Sequence, residues 1–340
     1  MKVDDGMPSQ REKIGVPIFL YDHFRYTRSG SLLSVNLGDS IQTLAVQAML
    51  ASIGVAEDMH LLINRDTLSD YADESAKYIM HGVFGAHCFP ISEALTPIFF
   101  GFNSDERTIF ANRQALKRFA PIGCRDTYTT ALARAHGIPA YTSGCLTLSF
   151  PERSTESVSI RRSHFIVAGD GEGAFPEELL ANAPKTFSLN ITRIHQRAPA
   201  ACFPIPRETA VHHLRSAKAL LQRYRHEANL IITPLLHAAT PALAMGIPTI
   251  VVRHAYSSRF SALSRLIPIH LPRDFSSIDW SPHTPDFSAL KVLQRQAFTD
   301  ALTGGMTLSP AQKELDIFWG QGKIDHTWTK RMARLWSTIH

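Results

Sequence analysis

The chain has 340 residues, 44% hydrophobic and 19% charged, with 35 Lys and Arg against 30 Asp and Glu for a formal net charge of +5. At roughly 100–200 residues per domain this length predicts two domains, each able to bury a core, and the spread of apolar side chains excludes a disordered or collagen-like chain. The small basic excess fits an anionic small molecule or lipid headgroup; without an RNP pattern, zinc-finger spacing or basic stripe it does not point to nucleic acid.

The charged start (Asp4, Asp5, Arg11, Glu12, Lys13) has no apolar run, so no secretory signal peptide is expected and the expected location is the cytoplasm. Short β-branched runs predict buried strands at residues 16–21, 32–35, 60–63, 97–102 and 140–143, alternating with helices at 40–53, 110–119 and 127–136. A polar break at 151–163 marks a domain boundary. The pattern restarts with strand 164–168, helix 176–182, strand 186–190, helix 207–226, strand 230–233, a short helix 237–245 and strand 249–252. This alternation predicts an α/β fold of two Rossmann-like domains, 1–150 and 163–305, facing a central cleft, followed by a helical tail at 306–340. The uncharged stretch 228–252 is long enough for a membrane span, but Pro234, Pro241 and Pro248 cut it into short buried elements. Cys88, Cys124, Cys145 and Cys202 stand apart without a CxxC pair, so reduced thiols are expected and no metal site or disulfide framework.

In such sheets ligands bind beyond the carboxyl ends of the strands, which directs attention to four loops. In Asn36-Leu37-Gly38-Asp39-Ser40, Asp39 or Ser40 can cap the following helix, and a Gly-containing helix N-terminus is also an anion site. Arg125 leaves a short strand just before an Asp or Thr cap; its guanidinium can clamp a carboxylate or phosphate, or be an ordinary surface group paired with an acid. His237 is one of 16 histidines but falls at a strand-to-helix turn amid uncharged residues, where an imidazole can move a proton near neutral pH. Gly169-Asp170-Gly171-Glu172-Gly173-Ala174 matches a loose G-x-G-x-x-A, but its acids would repel a pyrophosphate and a plain turn is the expectation.

Together these segments resemble a known family. Gly38-Asp39-Ser40-Ile41-Gln42, Pro121-Ile122-Gly123-Cys124-Arg125-Asp126, Gly137-Ile138-Pro139 with Ser143-Gly144-Cys145-Leu146-Thr147, Pro234-Leu235-Leu236-His237 and Ala244-Met245-Gly246-Ile247-Pro248 are similar, in this order, to the polysaccharide pyruvyl transferases. The resemblance spans about residues 16–290 and extends to Arg259-Phe260-Ser261-Ala262-Leu263. It implies a GT-B-like domain pair that moves the enolpyruvyl unit of phosphoenolpyruvate onto two sugar hydroxyls as a pyruvate ketal, for exopolysaccharide or other cell-surface glycans, with no cofactor or metal. It further implies His237 and Arg125 as catalytic residues, and Arg259, Asn36, Gly38, Asp39, Gln42 and Arg253 as substrate-binding ones. The chain departs from the family where Leu235 replaces an arginine, leaving Arg253 or Arg259 to supply that charge. The implied partner is a glycan acceptor, free or lipid-linked.

Two other readings stay open. A GT-B glycosyltransferase would want a late carboxylate for ribose hydroxyls, and residues 237–273 contain no Asp or Glu; a non-catalytic glycan binder would fit the loss at Leu235. In the tail, Trp328, Met332, Leu335, Trp336 and Ile339 form one apolar helical stripe beside Lys330, Arg331 and Arg334. That stripe either docks on the core or lies on an anionic membrane face.

Overall fold

In the computed structural model the chain is described over residues 12–23, 33–154, 163–185 and 187–321. The first half supplies strands β1 (Lys13–Ile18), β2 (Leu33–Asn36), β3 (His60–Asn64), β4 (Ala76–Val83), β5 (Leu95–Asn103), β6 (Ile122–Cys124) and β7 (Ala140–Thr142). With them come helices α1 (Leu37–Ser52), α2 (Glu106–Ala111), α3 (Arg113–Arg118) and α4 (Thr127–Ala135). The second half supplies β8 (Ser163–Ala168), β9 (Ile191–His195), β10 (Arg197–Ala200), β11 (Ala228–Thr233), β12 (Thr249–Val252) and β13 (Ile269–His270), with α5 (Arg207–Glu227), α6 (Leu236–Ala244), α7 (Ser288–Thr303) and α8 (Pro310–Gln321).

Two parallel sheets result, a Rossmann-like α/β arrangement in which near-continuous apolar strands are buried on both faces. The first runs β3-β1-β4-β5-β6-β7 and the second β13-β12-β11-β8-β9. Each reverses direction once, between β1 and β4 in the first and between β8 and β11 in the second, and those reversals open crevices at the carboxyl ends of the strands. One continuous apolar cluster joins the sheets: Val16 and Phe100 of the first, Val167 and Ile231 of the second, and Ile41, Leu221, Leu243 and Phe298 from four helices.

Several predicted elements differ. Residues 33–36 form a strand outside both parallel sheets: β2 pairs antiparallel with β10, and Arg197 donates to Ser34 Oγ (2.7 Å) and Ser34 O (2.6 Å) to fix the register. Strand β4 escapes the apolar pattern because Lys77 and His81 interrupt it, yet it lies centrally between β1 and β5. The predicted helix at 110–119 is two helices, because Asp105 caps the first at Thr108 N (2.9 Å) and Asn112 leaves helical geometry between them. Predicted strand 186–190 is displaced: residues 187–190 make a 3-10 turn, started by Phe187 N donating to Pro184 O (2.9 Å), and β9 begins at Ile191.

The stretch 228–252 folds as β11, α6 and β12, and among the described residues no helix is long and apolar enough to cross a membrane. Trp319 of α8 is fully buried in the main apolar cluster. The stripe that begins at Trp328 lies outside the described residues.

Candidate active site

The second sheet's reversal holds a cavity of about 200 Å³, lined on one side by the Gly169–Gly173 turn and on the other by Leu235, His237, Arg253 and Arg259, with Asn36 reaching in from the first half. Each loop is shaped locally. Asn36, rather than the expected Asp39 or Ser40, caps α1 by accepting from Gly38 N (2.9 Å). This frees Asp39 for side-chain work: Tyr21 Oη donates to its Oδ2 (2.8 Å) and Gln42 Nε2 to its Oδ1 (3.1 Å). Tyr21 does so from a left-handed backbone (φ 64°), strain that a non-glycine residue bears only where its surroundings hold it. Burial raises the Asp39 carboxyl, opposed by Arg65, Tyr21 and Arg259.

After β11, Thr233 Oγ1 donates to Val167 O (2.6 Å) and accepts from Leu235 N (3.0 Å), tying the turn to β8. Four residues beyond His237 stands Pro241, which has no N–H to give the His237 carbonyl, so the helix opens there and His237 adopts φ −88°, ψ 20°. His237 is 3% exposed and its Nε2 has no hydrogen-bond partner among the described residues. Burial pushes its pKa well below the ordinary value, and the charges of Arg125 and Arg259, with His81, push the same way. An imidazole so placed is neutral until negative charge arrives.

Arg125 is the most unusual group. It is 1% exposed, and none of its three guanidinium nitrogens has a hydrogen-bond partner among the described residues. Asp126 stands 3.9 Å away, but its oxygens already cap α4 at Thr129 N (2.8 Å) and accept from Asn103 Nδ2 (2.7 Å). Of the two readings open for it, the ordinary surface arginine does not hold: the group is buried, with Asp126 at 3.9 Å. Buried polar groups are almost always satisfied, so a buried guanidinium without hydrogen-bond acceptors calls for an explanation.

The predicted residues do not all meet at one surface. Asn36, His237, Arg253 and Arg259 line the cavity. Arg125 does not line it, but lies close enough for its charge to act on His237 and for those of Arg259 and Asp39 to act on it. Gly38, Asp39 and Gln42 belong to the first turns of α1 and do not line it; Gly38 N holds the lining residue Asn36, and Gln42 holds Asp39. Arg253 is a brace: its guanidinium donates to Pro234 O (2.8 Å) and Ala255 O (3.1 Å) and lies over the Phe260 ring at 4.7 Å. Arg259 is exposed, lines the cavity and makes no side-chain hydrogen bond or ion pair among the described residues. Leu235 instead packs on Gly173, where a Cβ would stand 2.7 Å from a leucine methyl. The glycine turn is thus a cavity wall, and its Asp170 is held by His195 (2.9 Å) and Arg197 (2.9 Å).

Sequence reasoning missed Tyr21 and His81. His81 lies within β4, so no loop signal announced it. It is fully buried, its Nδ1–H donates to Phe100 O (3.0 Å), and its Nε2 faces Cys145 Sγ at 3.8 Å. Burial above all lowers its pKa to about 3, against the Phe100 hydrogen bond and with help from Arg125. A folded-state pKa below the unfolded 6.5 means that the unfolded chain binds more protons between these values. His81 therefore contributes full stability above pH 6.5 and loses it as pH falls toward 3, by roughly 1.4 kcal/mol per pH unit. His81→Asn should flatten the acid limb of a urea-unfolding series by about that slope; parallel limbs for the two proteins would refute the assignment.

With the geometry in place, comparison with known proteins is informative. No curated protein matches the chain. The family model described as polysaccharide pyruvyl transferase matches residues 36–256, a span that begins at the α1 cap and takes in Arg125, the glycine turn, His237 and Arg253. Matched over more than half its length, the chain belongs to the polysaccharide pyruvyl transferase family, a membership that implies a pyruvyl-transferring enzyme.

Proposed function

We propose that the chain transfers the enolpyruvyl unit of phosphoenolpyruvate to two hydroxyls of a sugar, giving a pyruvate ketal and phosphate during synthesis of an exopolysaccharide or other cell-surface glycan. The observation that carries this reading is Arg125, a fully buried guanidinium without an acceptor, electrostatically coupled to a buried histidine with a free nitrogen. Phosphoenolpyruvate brings a phosphate and a carboxylate, which suit the forks of Arg125 and Arg259. On this reading residues 1–150 and 163–305 are two Rossmann-like domains facing a GT-B-like cleft, with a tail from 306 whose residues beyond 321 lie outside the described ones. The enzyme works in the cytoplasm on a free or lipid-linked acceptor at the inner membrane face, without a resident cofactor.

His237 supplies the proton. The donor's negative charge offsets Arg125 and Arg259 and raises the imidazole pKa, so His237 becomes protonated as the donor binds. Transfer of that proton to the methylene carbon makes a methyl group and an oxocarbenium-like centre, which the first hydroxyl attacks. Loss of phosphate lets the second hydroxyl close the ketal. Of the two hydroxyl protons, one restores His237 and the other leaves on phosphate. Asn36, Gly38, Asp39, Gln42 and Arg253 shape and hold the wall against which the substrates lie.

Millimolar phosphoenolpyruvate should raise the melting temperature, by about 2.7 kcal/mol of stabilisation at a hundred times its dissociation constant, and pyruvate should do much less. Phosphate release with a lipid-linked oligosaccharide extract, and a product heavier by the pyruvate ketal, would complete the case. Stabilisation by a nucleotide sugar but not by phosphoenolpyruvate would replace this reading with glycosyl transfer.

A further inference from the structure

The first sheet carries a separate cluster at the carboxyl ends of β3 and β4. Asp66 lies in the turn after β3, and His87 and Cys88 in the 3-10 turn after β4. Their ligand atoms, one oxygen, one nitrogen and one sulfur, all lie within 4.8 Å of one another. Local geometry builds this convergence. The His87 ring folds over Gly85, where a Cβ would stand 2.8 Å from it, and Cys88 N donates to Gly85 O (3.0 Å), closing the turn. Asp66 is fully buried. Its Oδ1 accepts from Arg65 Nε (2.8 Å) and faces His87 Nε2 (3.3 Å), while Oδ2 has no hydrogen-bond partner among the described residues. A buried carboxylate oxygen in that condition calls for a cation or a donor.

We propose that Asp66, His87 and Cys88 bind a divalent ion of the zinc class. A carboxylate, an imidazole and a thiolate suit a borderline-soft metal, whereas magnesium and calcium want oxygen ligands throughout. Arg65 becomes the outer group that orients the carboxylate through Oδ1 and leaves Oδ2 for the ion. On binding, the sulfur–metal bond replaces the Cys88 S–H bond and its proton leaves to solvent, with no change of oxidation state. The ion would cross-link the β3 and β4 turns, and also steady the segment after β1, because the His23 ring packs on His87 with centroids 4.6 Å apart. The Arg65 charge also acts on Asp39 of α1. No spacing motif announced the cluster, because Asp66 and His87 are 21 residues apart.

The full-length protein, stripped with a chelator and returned to metal-free buffer, should take up one equivalent of Zn²⁺ and gain melting temperature. Co²⁺ in its place should show the near-ultraviolet thiolate-to-cobalt charge-transfer band. Cys88→Ser should abolish the band, whereas Cys202→Ser, at the exposed cysteine, should leave it intact. His87→Gln, at a partly exposed side chain whose loss spares the core, should keep the native circular dichroism. It should weaken Zn²⁺ uptake by more than the roughly 10- to 100-fold that outer-shell changes cost. No uptake by the folded wild type, a band that survives Cys88→Ser, or undiminished affinity in His87→Gln would each overturn the site. These readouts follow metal and not turnover, so they stand apart from the donor assignment.

Discussion

Arg125→Met should abolish pyruvyl transfer and at the same time raise the melting temperature of the ligand-free protein. The guanidinium is 1% exposed and has no hydrogen-bond acceptor among the described residues, and its nearest acid, 3.9 Å away, is committed elsewhere. Taking an ion out of water costs several kcal/mol that a contact at 3.9 Å does not return, and Asp126 keeps Thr129 and Asn103 as donors when the guanidinium goes. Methionine fills much of the same space without the charge. The gain appears only without donor, because the donor's anion is what satisfies Arg125. Arg125→Lys keeps the charge but loses the fork, and should bind phosphoenolpyruvate more weakly while staying inactive or slow. Calorimetric melting with and without phosphoenolpyruvate reads both effects. A destabilised Arg125→Met protein that still turns over would show the arginine to be a structural strut.

His237→Asn should lower turnover by roughly 10²- to 10⁴-fold with donor affinity largely kept, since asparagine retains a hydrogen-bonding edge but no titratable proton. A second readout isolates the proton. On the proposed reading the imidazole is neutral without donor and gains charge with it, so phosphoenolpyruvate binding to the wild type should take up protons, seen as a buffer-dependent heat in titration calorimetry. The Asn variant should lose that dependence. Normal turnover, or equal proton uptake by both proteins, would return His237 to a packing role.

The placement of Arg125 and His237 was legible in the sequence, for a physical reason. Arg125 and His237 each follow an apolar run and precede a helix, and parallel sheets put such positions at the open ends of strands. What stayed hidden depended on contacts distant in sequence. The fate of residues 33–36 was set by a pairing with Arg197, 163 residues away, which no local pattern encodes. Asn36, Asp39 and Ser40 are all competent caps, and only the packed geometry chose Asn36 and released Asp39 to Tyr21. His81 looked like a polar interruption of a strand, whereas the fold buries it beside Cys145 with its ring bonded to the next strand.

The way α8 closes the first sheet bears on how the chain emerges from the ribosome. The Thr142 N–H of β7 donates to Asp316 Oδ1 (2.9 Å), and Arg134 pairs with the same carboxylate (2.5 Å). That acceptor is translated 174 residues after the donor. At 5–20 residues per second the interval is about 9–35 s, during which β7 has an open flank and, for roughly its first third, β2 still awaits β10. A nascent chain of this kind presents unpaired strand edges for far longer than a hairpin takes to form. Helper proteins that shield such edges therefore have their widest opportunity between synthesis of β7 and of α8.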